Sequence, residues 1–259
     1  MGKRTSYEPG TFSWTELATP DPAGAKEFYG SIFGWESEDA AVGDATIYTM
    51  LRVDGDDVAA LYEQSPEQQA AGIPPSWLCH VTVDSADAVA ARAAELGGAP
   101  LGEPFDVMEY GRMALIQDPA GATLALWEPR SSIGATRVND PGCMCWNDLV
   151  TPDPAAAVRF YGGLLGWEIA EIEGAQGYRH IRNAAAPNGG VMPAELVGGG
   201  PPHWLPYFNA GRLDAAIERV EAGGGRILAR PRQVPAGRFA VTQDPQGATF
   251  ALFEGEVDP

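Results

Sequence analysis

The chain carries its own sequence twice, and that duplication restricts its possible folds more than any other feature. Superposing residues 14–36 on 146–168, a shift of 132, leaves 14 of 23 positions identical, among them Thr-Pro-Asp-Pro, Phe-Tyr-Gly and Gly-Trp-Glu. Residues 117–128 recur as 243–254 with nine of 12 positions identical at a shift of 126. Two homologous domains are expected, 1–130 and 140–259. The polar, aperiodic stretch 131–139 reads as the linker between them.

Each half divides again. Trp14, Trp77 and Trp146 each stand seven residues ahead of an aspartate (Asp21, Asp84, Asp153) that introduces a helix-like segment, and Trp204 marks the fourth such strand. Asp21 suits an N-cap, Pro22 the first helical position and Gly34 a left-handed C-cap, while Ala25, Phe28, Tyr29 and Ile32 form an apolar stripe. Further helices are expected over 84–97, 153–166 and 214–223. Short alternating runs follow each helix and end at Asp-Pro-x-Gly turns (Asp118, Asp244), as in antiparallel hairpins. Each module therefore reads β-α-β-β-β. Four modules give an α+β fold with two curled, mixed sheets.

Seventeen basic against 35 acidic residues leave a formal charge of −18, which repels phosphate backbones, so neither nucleic acid nor an anionic membrane is an expected partner. No run of about 20 apolar residues could span a bilayer, and residues 1–10 have no apolar export segment, so a cytoplasmic location is expected. Three cysteines (Cys79, Cys143, Cys145) cannot build a disulfide framework and fit a reducing compartment. Fifteen of the 17 basic residues are arginine, which points to a GC-rich bacterial genome.

Paired modules with a D-P-x5-F-Y-x4-G-W helix and a terminal D-P-x-G-x4-L-x-E hairpin resemble the vicinal oxygen chelate superfamily. That superfamily holds glyoxalase I, extradiol dioxygenases, fosfomycin-resistance enzymes and bleomycin-binding proteins. Within it the chain is similar to the tandem glyoxalase-like proteins of actinobacteria often labelled hydroxylases. The resemblance implies that two modules curl into a cup around a ligand, and that the tandem halves pack as an internal pseudo-dimer. It also implies a divalent metal held by His, Gln or Glu from the first strand of each module and by a Glu near the end of the last.

Counting back seven from the helix aspartates places those first-strand positions on Trp14, Trp77 and Trp146, with Trp204 equivalent to Trp77 through the shared Pro-x-Trp. Counting seven beyond Asp118 and Asp244 places the glutamates on Ala125 and Ala251. Indole and alanine offer no ligand atom, so no metal and no cofactor is expected. Strand alternation turns His80 and His203 away from the cups, leaves His180 able to face inward, and puts Cys143 and Cys145 on one side of a strand.

Aromatic and acidic groups remain. Glu16 and Asp148 follow Trp14 and Trp146 by two and share their inward faces, and Tyr48 and Tyr178 occupy corresponding later strands. The expected ligand sets are Trp14, Glu16, Tyr48 and Trp77, and Trp146, Asp148, Tyr178 and Trp204. They suit a metal-free cup for a small planar or cationic metabolite or antibiotic. The alternatives are a lyase, isomerase, dioxygenase or biosynthetic hydroxylase that uses Glu16 or Asp148 as general base with a tyrosine or an unrecognised metal site, and a purely structural role in which the cups hold only their own side chains.

Overall fold

The computed structural model describes residues 2–42, 46–197 and 199–257. The first half contributes strands β1 (Phe12–Thr19), β2 (Glu36–Val42), β3 (Thr46–Val53), β4 (Asp56–Glu63), β5 (Ser76–Thr82), β6 (Ala99–Pro100), β7 (Phe105–Val107), β8 (Gly111–Gln117) and β9 (Thr123–Pro129). Its helices are α1 (Pro22–Phe33), α2 (Pro66–Ala70) and α3 (Ala86–Glu95). The second half contributes β10 (Met144–Thr151), β11 (Glu168–Glu171), β12 (Arg179–Asn183), β13 (Ala186–Pro193), β14 (His203–Asn209), β15 (Arg226–Val234), β16 (Gly237–Gln243) and β17 (Thr249–Gly255). Helices α4 (Pro154–Leu165) and α5 (Leu213–Ala222) complete it, with a 3-10 turn at Ala194–Val197. No helix among the described residues is long and apolar enough to cross a membrane.

Each half forms one mixed, open sheet. The orders are β2-β3-β4-β1-β5-β9-β8-β6, with β7 also on β8, and β11-β12-β13-β10-β14-β17-β16-β15. The first strands of the two modules in each half, β1 with β5 and β10 with β14, pair antiparallel at the sheet centre, and each runs parallel to its own module's last strand.

The first helix of each half starts and stops as the sequence requires. Asp21 and Asp153 cap α1 and α4 by accepting from Gly24 N and Ala156 N, and Gly34 and Gly166 close them in the left-handed region at φ 72° and 70°. The other two helices begin elsewhere than expected. The N-caps are Ser85 and Arg212, not Asp84 and Asp214, because the last-strand glutamates of the repeat take the helix amides: Glu128 Oε2 accepts from Ala86 N at 3.0 Å and Glu254 Oε2 from Leu213 N at 2.5 Å.

The face of each sheet that carries the helices is buried against the other half, α1 packing on α5 and α3 on α4. The repeated motifs meet there. Tyr29, from the Phe-Tyr pair of α1, donates to Asp244 Oδ2 at 2.9 Å across 215 residues, and Tyr161 of α4 donates to Asp118 Oδ2 at 3.2 Å. Trp35 and Trp167 donate their indole N–H to the backbone oxygens of Gly142 and Gly10, each in the opposite half. The segment connecting the halves is also packed into the structure. Ala135 N donates to Ser13 O, Thr136 N to Asp57 O, and Ala135 and Val138 are buried. Arg137 pairs with Asp54 and Asp140, each at 2.7 Å.

Candidate functional site

The opposite face of each sheet carries the candidate cup, and strand register decides which side chains it holds. Trp14 is opposite His80 and Glu16 opposite Leu78, so these four side chains share the first cup's face, while Leu17 and Trp77 share the other. In the cup Tyr48 Oη donates to Glu16 Oε2 at 2.6 Å, Trp14 Nε1 donates to Tyr48 Oη at 3.0 Å, and His80 Nε2 lies 3.6 Å from Glu16 Oε1. Tyr62 stacks on Tyr48, with ring centroids 6.4 Å apart. Both nitrogens of the buried His80 ring lack a hydrogen bond among the described residues. Burial pushes the Glu16 carboxyl up, but the adjacent His80 and the Tyr48 hydroxyl outweigh it and hold the group below its ordinary range.

The second cup repeats the plan with different chemistry. Asp148 Oδ1 accepts from Trp146 Nε1 at 2.9 Å and Tyr178 Oη at 2.8 Å, and Oδ2 accepts from Tyr207 Oη at 2.7 Å. Tyr207 is opposite Trp146 in register, where His80 is opposite Trp14. His180 also lies here, its ring centroid 5.5 Å from that of Trp146. Three neutral donors do not compensate Asp148 for lost hydration, so burial raises its pKa to about 6 against those hydrogen bonds. Gly190 makes the room: a Cβ there would stand 2.0 Å from Tyr178 Oη and 2.3 Å from Asp148 Oδ1. Gly190→Ala is expected to lower stability by about 2 kcal/mol through overpacking, measured by urea unfolding.

The structure unites Trp14, Glu16 and Tyr48, and Trp146, Asp148 and Tyr178, but excludes the remaining tryptophans from both sets. Trp77 and Trp204 face the opposite half, each donating its indole N–H at 3.0 Å to a tyrosine of the interlock, Tyr29 and Tyr161. Counting from Asp84 instead of the true cap Ser85 displaces the strand by one residue, and a one-residue slip exchanges the faces. The same slip hid His80, and with it His203, which is level with Val150 on the cup face of β14. His80 and Tyr207, each three residues after the Pro-x-Trp tryptophan, were detectable by aligning those two tripeptides. Cys143 and Cys145 also separate: the register shifts between Met144 and Trp146, so Cys143 packs in the core shared by the halves and Cys145 against the second cup's apolar cluster.

Of the first-strand residues Trp14, Glu16, Leu78 and His80 that face the first cup, Glu16 and His80 are metal-binding types. Ala60 and Ala125, level with them on the last strands, supply nothing. In the second cup the corresponding residues are Asp148, Tyr207, Gly190 and Ala251. Among the described residues no group of three or more His, Cys, Asp or Glu side chains could hold a metal ion. The donors present fall short of the three- or four-ligand set implied by the resemblance.

The family model for the glyoxalase/bleomycin resistance protein/dioxygenase superfamily matches residues 11–126 and 143–252. CFP32 of Mycobacterium tuberculosis (strain CDC 1551 / Oshkosh), whose name carries a glyoxylase designation, is 39% identical over 258 residues, covering 98% of each chain. The anthracycline biosynthesis protein DnrV of Streptomyces peucetius is 33% identical, covering 96% of this chain and 95% of its own. Among solved structures, the Mn(II)-bound glyoxalase from Novosphingobium aromaticivorans has a TM-score of 0.66 at 17% identity, covering 100% of this chain and 85% of its own. The 2,3-dioxygenase LapB from Pseudomonas sp. KL28 has the same TM-score at 13% identity, covering 98% and 95%. Two matches to one family model, placed on the two halves of a doubled α+β architecture, make the chain a member of the glyoxalase/bleomycin resistance protein/dioxygenase superfamily.

Proposed function

We propose that the protein binds a small planar or cationic metabolite or antibiotic in an aromatic and acidic cup without a metal ion, its two halves serving each other as an internal pseudo-dimer. The observation that carries this reading is the convergence of Trp14, Glu16, Tyr48 and His80 on one face of the sheet. Indole and phenol rings supply dispersion to a flat ligand, and a carboxylate accepts from its ammonium or hydroxyl group. The relatives named for anthracycline biosynthesis support a planar, polycyclic ligand.

A second reading has one observation in its favour. Asp148, with a pKa near 6 and two tyrosine hydroxyls in contact, has the properties of a general base working near neutrality. A lyase, isomerase, dioxygenase or biosynthetic hydroxylase would use it, and the glyoxalase and dioxygenase neighbours are compatible with such chemistry.

Elemental analysis with a tryptophan-fluorescence titration, run with and without a chelator, tests the first reading. Metal content well below one ion per chain is expected, with chelator-independent binding. Glu16→Gln is expected to weaken binding about 10- to 100-fold, the range for losing a hydrogen bond to a charged group. Stoichiometric metal whose removal abolishes binding would overturn the reading.

A further inference from the structure

We infer that the first cup alone takes ligand, that the second is filled by the protein's own side chains, and that the occupant is a hydroxylated fused-ring aromatic. Its oxygen-bearing edge meets Glu16 and His80, and its apolar edge lies on Leu101 and Phe105. The inference rests on the binding reading above and assigns that reading to one cup and one ligand class.

The two cups differ at three apolar positions, although Trp14 is buried and its counterpart Trp146 is partly exposed. Leu78, Met113 and Leu115 on the first cup's face are partly exposed, whereas their counterparts Leu205, Phe239 and Val241 are buried. Those three belong to an apolar cluster with Met192 and Phe253, against which Leu196 and Val197 of the 3-10 turn pack. Every carboxylate oxygen of Asp148 already has a donor from the protein. In the first cup the buried His80 ring has both nitrogens without hydrogen bonds, Nε2 lying 3.6 Å from Glu16 Oε1, and a ligand hydroxyl would supply the missing partner.

Register gives the ligand its length. His80 is level with Ala125, Ala125 with Leu115, and Leu101 N donates to Leu115 O, so one row of side chains runs from His80 to Leu101. The next row runs from Trp127 through Met113 to Phe105. Leu101 and Phe105 end these rows, each 46% exposed. Three strand spacings separate His80 from Leu101, at most ~14 Å along the sheet. One ring cannot touch both ends, while a linear system of three or four rings can, with its hydroxyls at the Glu16–His80 end.

Two measurements test this. Without ligand, Leu115→Cys and Val241→Cys variants are treated with N-ethylmaleimide, the native thiols providing the baseline. Leu115→Cys is expected to react at least tenfold faster, and equal, rapid reaction of Val241→Cys would overturn the closed second cup. With ligand, daunorubicin serves as the fused-ring probe and tyramine as a single-ring, cationic one. One daunorubicin per chain is expected, weakened at least tenfold by Phe105→Ser and by His80→Gln and unchanged by Phe239→Leu. Two molecules per chain, or loss of binding with Phe239→Leu alone, would overturn the one-cup assignment. Binding of tyramine but not daunorubicin would overturn the fused-ring class and leave the binding reading standing, whereas binding of neither would remove both.

Discussion

Alanine at Asp244 is expected to lower unfolding free energy by about 4 kcal/mol, and alanine at Asp118 by a similar amount. Each aspartate joins the two halves while holding its own hairpin. Asp244 Oδ1 accepts from Gly247 N and Ala248 N at 2.7 and 2.8 Å, and Oδ2 takes the Tyr29 hydroxyl of the other half. Asp118 Oδ1 accepts from Ala120, Gly121 and Ala122, with Tyr161 on Oδ2. Both carboxylates are buried, so truncation strands several donors away from water at once. Tyr29→Phe removes only the bond between the halves and is expected to cost about 1–2 kcal/mol, with a coupling of about 1 kcal/mol to Asp244 in a double-mutant cycle. Urea unfolding provides the measurement. A loss below 1 kcal/mol for Asp244→Ala would mean the halves do not depend on this interlock.

Asp148→Asn is expected to make the protein more stable at pH 8 by about 3 kcal/mol, because the wild-type carboxylate is held ionised in an apolar cluster with a pKa of about 6. The sign follows from proton binding. An aspartate with a folded value above its unfolded value of about 3.9 binds more protons in the folded state. Its contribution is fully present below about pH 4, is lost as pH rises through about 6, and changes little beyond 7. Glu16, held low beside His80, works in the opposite sense: its contribution is present above its unfolded value and is lost as pH falls through the folded one. The difference in urea midpoint between wild type and Asp148→Asn therefore isolates Asp148, and it should open between pH 4 and 7. A flat difference would mean the carboxylate has more solvent or a nearer cation than this cup provides.

The doubled architecture was legible because its signals are local. Thr-Pro-Asp-Pro sets an N-cap and first turn, Gly34 and Gly166 set the stop, and the alternation of Trp14 with Glu16 and of Trp146 with Asp148 assigns those residues to one face each, whatever surrounds them. The repeat itself carried the same reading to the second half. The roles of the repeated motifs were less legible. Phe-Tyr, Gly-Trp and Asp-Pro-x-Gly look like helix and hairpin chemistry, and they are, but each also reaches a partner in the opposite half that no local rule names.

The candidate site divides along the same line. By itself the sequence determined the four modules, the helix limits of α1 and α4, and the inward carboxylates with their tyrosines. Only the tertiary structure decided that Trp77 and Trp204 leave the cups and that His80 and Tyr207 enter them. The physical reason is that a strand's side chains repeat every two residues, so its faces are fixed only once its register is known. In β5 and β14 that register is the one made by pairing with β1 and β10, which puts Trp77 level with Leu17 and Trp204 level with Leu149.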